Sequence, residues 1–158
     1  MARAVFLALA LLLAPAGDDP PTTTYQPPVD APISDPFRPP PTPYGRGNRG
    51  LEYDTRPGAV VGVAAAGEVT FAGQVGGRLY VTVAHADGIR TTYGPLGRIA
   101  PGVARGRALD AGAPVGTARG LVLWTARIGD EYIDPALLLA ASGTLRVRLV
   151  PDRRSGPR

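Results

Sequence analysis

LYVTVAHADGIRTTY, residues 79–93, alternates apolar and polar side chains on both sides of an Asp-Gly pair. Leu79, Val81 and Val83 share one face of an extended chain, because successive side chains of a strand point to opposite sides. Asp87-Gly88 is the strongest hairpin signal in the chain, since this pair suits the tight turns that join antiparallel strands. The stretch therefore predicts a β-hairpin, and with it a fold built on antiparallel strands.

Short apolar or alternating segments repeat this pattern on either side of the hairpin. They lie at 59–65, 68–72, 113–118, 121–127 and 144–150, at a spacing of roughly ten residues. Only residues 134–139 indicate a helix, with Asp134 as its N-cap and Pro135 in its first turn. The sequence thus predicts an all-β domain, a sandwich or a barrel, with one short helix near its C-terminal end.

The first residues of the chain have the three parts of a secretory signal. Arg3 supplies the positive charge, residues 5–13 form an apolar core, and Ala-Pro-Ala at 14–16 is a small-residue cleavage site. The apolar run is well short of the roughly 20 residues that a membrane-spanning helix needs. We therefore expect a signal peptide over residues 1–16, a secreted location in the cell envelope and no membrane span in the mature chain. A retained, uncleaved anchor is the alternative.

Proline dominates the segment that follows. Ten of the residues between 20 and 43 are proline, which predicts an extended and semi-rigid backbone. Residues 17–31 are therefore expected to be a linker, and residues 32–142 the folded domain. Val29, Ile33 and Phe37 interrupt the prolines and are candidates for a first strand laid on that domain. Residues 143–158 are expected to add a last strand and an Arg-rich tail.

The charge of the chain is concentrated at its C-terminal end. The chain has 17 basic and 13 acidic residues, for a net charge of +4, and five arginines fall between residues 146 and 158. A solvated tail is the favoured interpretation, and contact with anionic wall polymer or lipid headgroups is the alternative. We expect no nucleic-acid partner. Because an exported chain without Cys has no disulfides, core burial alone must stabilise the domain.

A series of motifs recurs along the chain in an informative order. The motifs are Asp35-Pro36-Phe37-Arg38, Asn48-x-Gly-x-Glu52, Gly58-Ala59-Val60, Gly73-x-x-Gly76-Gly77, His85-x-Asp87-Gly88, Tyr93-Gly94-Pro95-Leu96, Pro114-Val115-Gly116, Gly120-Leu121-Val122-Leu123-Trp124 and Asp134-Pro135. This ordered set resembles the LytM-type (lysostaphin-like) peptidoglycan metallopeptidase domain over about residues 32–139. The resemblance implies a compact β-barrel or sandwich, of the duplicated hybrid motif type, with a groove for peptidoglycan peptide.

The resemblance also implies a zinc site, and at each of its positions this chain departs from the family. Active members hold Zn²⁺ with a His and an Asp of a His-x-Gly-x-Asp motif and the second His of a His-x-His strand. Here Asn48 and Glu52 stand at the first two positions, and Val122 and Trp124 at the His pair. Pro95 replaces an assisting His. The resemblance therefore implies that no residue is catalytic and that none binds a metal or cofactor.

Donor chemistry independent of the family gives the same expectation. Catalytic zinc takes three protein ligands from His, Cys and carboxylates, with a further position open for water. The chain has one His and no Cys. A site made of carboxylates such as Glu52, Asp54 or Asp87 would suit Ca²⁺ or Mg²⁺ better than catalytic zinc.

The residues that replace the zinc ligands are the candidate binding residues. Val122 and Trp124 are expected to face the space that the metal fills in active relatives. Trp124 either fills that space as core, which is the favoured interpretation, or offers an aromatic surface to a sugar or peptide beside Tyr93. The candidates are Asn48, Glu52, Tyr93, Pro95, Val122 and Trp124. Structural roles are expected for His85, Asp87 and Gly88.

The function expected from these residues is that of an exported, catalytically inactive LytM-like module. Degenerate LytM domains of other bacteria look like this, which implies binding to peptidoglycan, regulation of a cell-wall hydrolase, or both. Two alternatives stay open. One is a residual metal-dependent peptidoglycan endopeptidase with a rebuilt metal site, and the other is a structural envelope protein. The sequence makes no prediction about the oligomeric state.

Overall fold

The computed structural model describes residues 23–42 and 45–143 of the chain. The predicted signal peptide, the Arg-rich tail and the strand predicted at 144–150 lie outside these residues. The elements are β1 (Ile33–Asp35), β2 (Gly50–Tyr53), β3 (Val60–Gly62), β4 (Gly67–Val75), β5 (Arg78–Ala84), β6 (Ile89–Ile99), β7 (Ala108–Leu109), β8 (Pro114–Ile128), β9 (Glu131–Ile133) and α1 (Pro135–Ala141). The predicted all-β class with one short helix is confirmed.

All of the strands belong to one antiparallel sheet centred on β8. The order along the sheet is β1-β2-β8-β6-β5-β4-β7, and β3 and β9 also pair with β8. Two strands were predicted at 113–118 and 121–127, but β8 is a single strand that continues through Gly120. The φ angle of Gly120 is +146°, a conformation that other residues rarely adopt. Glycine therefore allows the strand to continue where a turn was expected.

The β5–β6 hairpin forms where the Asp-Gly pair predicts it. The His85 N–H donates to the Ile89 carbonyl at 2.9 Å, and the Gly88 N–H donates to the His85 carbonyl at 3.0 Å. Gly88 has a φ angle of +82°, so it takes the left-handed position that ends a three-residue turn. The Asp87 carboxylate accepts the Ile89 N–H at 3.1 Å. Asp87 and Gly88 thus fix the turn through their own hydrogen bonds and backbone.

Residues 25–29, here called the N-terminal segment, are part of the domain. Tyr25 and Val29 are 2% and 8% exposed, and both belong to the hydrophobic core. The Tyr25 N–H donates to the Ser142 hydroxyl at 2.7 Å, and the Tyr25 hydroxyl donates to the Asp87 carboxylate at 2.9 Å. The Tyr25 ring also packs edge-on against the His85 ring, with 5.2 Å between centroids.

The N-terminal segment lies before residue 32, where the domain was predicted to begin, and inside the linker predicted at residues 17–31. The backbone of the N-terminal segment also bonds to the domain, with the Gln26 N–H donating to the Ala64 carbonyl at 2.9 Å and the Gly62 N–H to the Pro28 carbonyl at 2.8 Å. Proline content predicts the backbone angles of a segment but not the contacts of the apolar residues between the prolines. The segment is extended, as expected, and it is packed.

The helix α1 begins as the sequence predicts. The Asp134 carboxylate accepts the Ala136 N–H at 2.9 Å, and Pro135 occupies the first turn, where its missing N–H has no intrahelical partner to lose. Leu139 is buried against the sheet at 2% exposure. Among the described residues, no helix has the length and apolar character that crossing a membrane requires.

Candidate functional site

The pairing of β2 with β8 decides which residues share a face of the sheet. Leu51 lies opposite Trp124, and Glu52 lies opposite Leu123. Directly opposed residues of neighbouring strands point to the same face, and consecutive residues point to opposite faces. We call the face of Leu51 and Trp124 the buried face, and the face of Glu52 and Leu123 the open face.

Three of the candidate binding residues lie on the buried face. Tyr93 is directly opposite Trp124 on β6, and Val122 is opposite Tyr53 on β2. The side chains of Tyr93, Val122 and Trp124 are all 0% exposed. The prediction that Trp124 and Val122 share a groove with Glu52 is therefore wrong, because a shift of one residue along a strand moves a side chain to the other face.

The open face shows where the family's His pair would have to stand. A ligand acting together with position 52 must share the face of Glu52, which on β8 is the face of Leu123. Leu121 lies two residues before Leu123 on the same strand and is 51% exposed. The register therefore favours Leu121 and Leu123, rather than Val122 and Trp124, as the positions that correspond to the pair. Neither side chain can ligate a metal.

Asn48 binds the backbone through both polar atoms of its side chain. Its side chain is 5% exposed, and its amide N–H donates to the Asp35 carbonyl at 3.1 Å. Its amide oxygen accepts the Gly50 N–H at 3.2 Å. Its backbone exchanges two hydrogen bonds with Arg38, at 2.8 and 2.9 Å. Asn48 therefore ties the segment after β1 to the start of β2.

The donor set of this region does not fit the zinc ion that the family resemblance implies. Glu52 is half-buried beside Leu123, and the nearby positions offer an amide that is already bonded and two leucines. In residues 23–42 and 45–143, no three side chains of His, Cys, Asp or Glu are grouped so that they could hold a metal ion. Zinc requires three such donors at a catalytic site. We therefore derive no reaction step through zinc.

The one histidine of the chain belongs to a hydrogen-bonded series on the buried face. His85 Nδ1 lies 2.9 Å from the Ala66 carbonyl, and its Nε2 lies 2.7 Å from the Thr91 hydroxyl. The Thr91 hydroxyl is 2.7 Å from the Tyr93 hydroxyl, which accepts the Ala64 N–H at 2.8 Å. Since a carbonyl only accepts, Nδ1 carries a proton and donates to Ala66. In the neutral ring Nε2 then accepts from Thr91, which in turn accepts from Tyr93.

Titration of His85 should be visible in the pH dependence of stability. Burial lowers the pKa of His85, against smaller opposing effects of its bond to Ala66 and of the Asp87 charge. The unfolded chain, with a His pKa near 6.5, then binds more protons than the folded chain below that pH. Stability is expected to be fully present above about pH 6.5 and to fall by up to about 1.4 kcal/mol per pH unit below it, down to the folded pKa.

Urea unfolding between pH 7 and 5 measures this slope. The variant His85→Asn keeps a donor toward Ala66 and removes the titrating ring, so its stability should change less over the same pH range. Equal slopes for the two proteins would show that His85 does not titrate on unfolding in this range.

A cleft opens on the side of the sheet where Pro95 lies. It has a volume of about 310 Å³ and is lined by Arg78, Pro95, Arg119 and Leu121. Pro95 is half-buried there. Of the six candidate binding residues, Pro95 lines this cleft and Glu52 lies on the open face. Arg78, Arg119, Leu121 and Leu123 were not predicted from the sequence, because no motif marks the two arginines and Val122 and Trp124 were expected to face the site instead.

The sequence comparisons place this chain beside known proteins. The sequence profile of peptidase family M23 matches residues 46–123. The uncharacterized proteins Rv2891 of Mycobacterium tuberculosis and Mb2915 of Mycobacterium bovis are each 33% identical to this chain over 147 residues. These matches cover 80% of this chain, and the chain spans 58% of the length of each relative.

Solved structures share the fold. The peptidase lysostaphin of Staphylococcus simulans matches with a TM-score of 0.66 at 19% identity, over 83% of this chain and 60% of that one. Helicobacter pylori Csd3 matches with a TM-score of 0.64 at 23% identity, over 72% of this chain and 34% of that one. The catalytic domain of the M23 protein EnpA of Enterococcus faecalis, as a mutant, matches with a TM-score of 0.59 at 21% identity, over 71% and 95% of the two chains.

Proposed function

We propose that this chain is an exported, catalytically inactive LytM-like module, because the profile of peptidase family M23 matches residues 46–123 and the fold is similar to that of lysostaphin. Its role is to bind peptidoglycan, to regulate a cell-wall hydrolase, or both. Membership in this family supports a function at the cell wall. The secretory signal predicted over residues 1–16 supports export, and the proposed role requires no cofactor.

The main support for the proposed inactivity is the set of side chains on the open face. Glu52 has Leu123 opposite it on β8, and Gly94 lies opposite Leu123 on β6. A water-activating site needs donors where Leu123 and Leu121 stand, and Asn48 has committed both atoms of its amide to the backbone. The only His of the chain belongs to the buried face and is bonded at both ring nitrogens. Residues 23–42 and 45–143 contain no group of His, Cys, Asp or Glu side chains from which a hydrolytic metal site could be rebuilt.

The observation that supports binding is the apolar surface left at these positions. Leu121 is 51% exposed beside the cleft, in the region where the family resemblance puts the peptide groove. Exposed apolar side chains beside a cleft favour ligand contact, because covering them removes apolar area from water. The open face thus retains a surface suited to binding without the groups needed for hydrolysis.

The variant Leu121→Ser tests whether this surface binds the wall. Replacing this leucine is expected to weaken co-sedimentation with purified peptidoglycan by about fivefold, from roughly 1 kcal/mol of lost apolar burial. The matched control is Leu137→Ser, since Leu137 is 65% exposed on α1. Both substitutions remove an exposed leucine, so folding should be affected little and equally.

Hydrolysis is measured on the same samples. We expect no release of peptide fragments from peptidoglycan and no stoichiometric zinc by elemental analysis. Chelator-sensitive turnover with about one zinc per chain would refute the proposed inactivity. Equal binding of the two leucine variants would refute a role for the open face.

A further inference from the structure

The cleft beside Leu121 combines two cations with an apolar floor. Arg78 at the start of β5 and Arg119 in β8 line it together with Pro95 and Leu121. The two arginines are exposed, and neither guanidinium group forms a hydrogen bond or an ion pair within residues 23–42 and 45–143. Guanidinium groups stay charged at every physiological pH and offer a planar set of N–H donors. The cleft therefore presents unneutralised positive charge next to apolar surface.

An irregularity in the sheet produces this cleft. Gly94 pairs with Leu123, and the next pair joins Leu96 to Ala118. Between these two pairs β8 contributes residues 119–122, whereas β6 contributes only Pro95. The surplus residues of β8 cannot pair with β6, so the strand bulges and redirects their side chains. The bulge places Arg119 and Leu121 at the cleft.

We infer that this cleft binds the carboxylate end of a short peptide that carries a small apolar side chain. This assignment rests on the proposed function and names the part of the wall that the domain recognises. Arginine matches a carboxylate in charge and in the spacing of its donors, often through two parallel hydrogen bonds. Leu121 and Pro95 then cover the apolar side chain next to that carboxylate.

The apolar floor distinguishes this ligand from a phosphate polymer. A phosphodiester chain would pair with Arg78 and Arg119 but has no apolar group to cover Leu121, which is 51% exposed. A volume of about 310 Å³ is at the lower end of the range for small-molecule sites. A terminal peptide fragment with a methyl side chain suits both the size and the chemistry of the cleft.

NMR titration of the full chain with N-acetyl-D-alanyl-D-alanine tests the inference. The free acid is expected to shift the amide signals of residues 119–122, and the same peptide with a C-terminal amide is expected to bind at least about tenfold more weakly. The variants R78Q and R119Q should each weaken binding of the free acid by about tenfold. The control R105Q, on the exposed loop after β6, removes the same charge away from the cleft and should change binding less than twofold.

Three results would overturn the assignment: equal binding of the acid and the amide, an R105Q effect as large as that of R78Q, or no binding of the acid. Inorganic phosphate that binds as tightly as the free acid, at equal ionic strength, would replace the peptide carboxylate with a phosphate ligand. Co-sedimentation with whole peptidoglycan separates this inference from the proposed function. If wild-type protein sediments but fails these titrations, the cleft assignment is wrong and wall binding stands.

Discussion

Replacing Trp124 by Ala is expected to lower the free energy of unfolding by about 3–5 kcal/mol. The side chain is 0% exposed on the buried face, with Leu51 and Tyr93 opposite it on the two neighbouring strands. Both of these neighbours are themselves buried, so the sheet has little room to close over the space that the indole leaves. A cavity in such a position adds to the lost transfer free energy.

Urea unfolding and peptidoglycan co-sedimentation, measured on the same protein, check this result. Binding per folded molecule should equal that of wild type, because Trp124 has no exposed surface to offer a ligand. The variant Trp124→Phe keeps most of the ring volume and should recover much of the lost stability. If the Trp124→Ala protein had wild-type stability but bound peptidoglycan more weakly, Trp124 would be part of the binding site.

A chain that begins at Pro32 is expected to be destabilised by at least about 4 kcal/mol relative to one that begins at Thr23. The shorter chain lacks the N-terminal segment, which buries Tyr25 and Val29 and donates hydrogen bonds to Ser142 and Asp87. Loss of a buried large aromatic side chain alone costs about 3–5 kcal/mol where the space that it leaves does not close. Small domains are stable by only about 5–15 kcal/mol, so this loss is a large part of the total.

Thermal and urea unfolding of the two chains measure the difference. The variant Tyr25→Phe in the longer chain isolates the Asp87 bond and should lower stability by about 1 kcal/mol, or up to about 3 kcal/mol for a charged acceptor. The variant Tyr25→Ala should lose most of the stability that the truncation to Pro32 loses. Equal stability of the chains beginning at Thr23 and Pro32 would mean that the N-terminal segment contributes no net free energy, as a linker would.

The parts of the fold that the sequence predicts are those that depend on neighbours in the chain. The β5–β6 hairpin follows from the alternation around Asp87-Gly88, and α1 follows from Asp134 and Pro135 at its start. The contact of Tyr25 with Asp87 joins residues 62 positions apart. Local pattern contains no information on such a contact, so the sequence did not predict that Tyr25 packs on the domain.

The face assignment on β8 failed for a different physical reason. Residues 121–124 read Leu-Val-Leu-Trp, so both alternating sets are apolar and hydrophobicity does not indicate which set is buried. Only the pairing with neighbouring strands shows which set is buried, and Trp124 lies opposite the buried Leu51. Glu52 and Pro95 lie on β2 and β6, so the choice between the two faces of β8 did not affect them. The bulge that brings Arg119 to the cleft arises because β8 has more residues than β6 between two neighbouring pairs. No sequence motif predicts this difference.

The central position of β8 has a consequence for how this domain responds to change. One strand pairs with β2, β3, β6 and β9, so neither side of the sheet can detach without disrupting a strand that the other side shares. Such an arrangement links local opening to global unfolding, and the sheet behaves as a single cooperative unit. The open face is then free to vary in its chemistry while the support beneath it stays intact. Recognition and folding are thus separable properties of this molecule, set by opposite sides of the same strand.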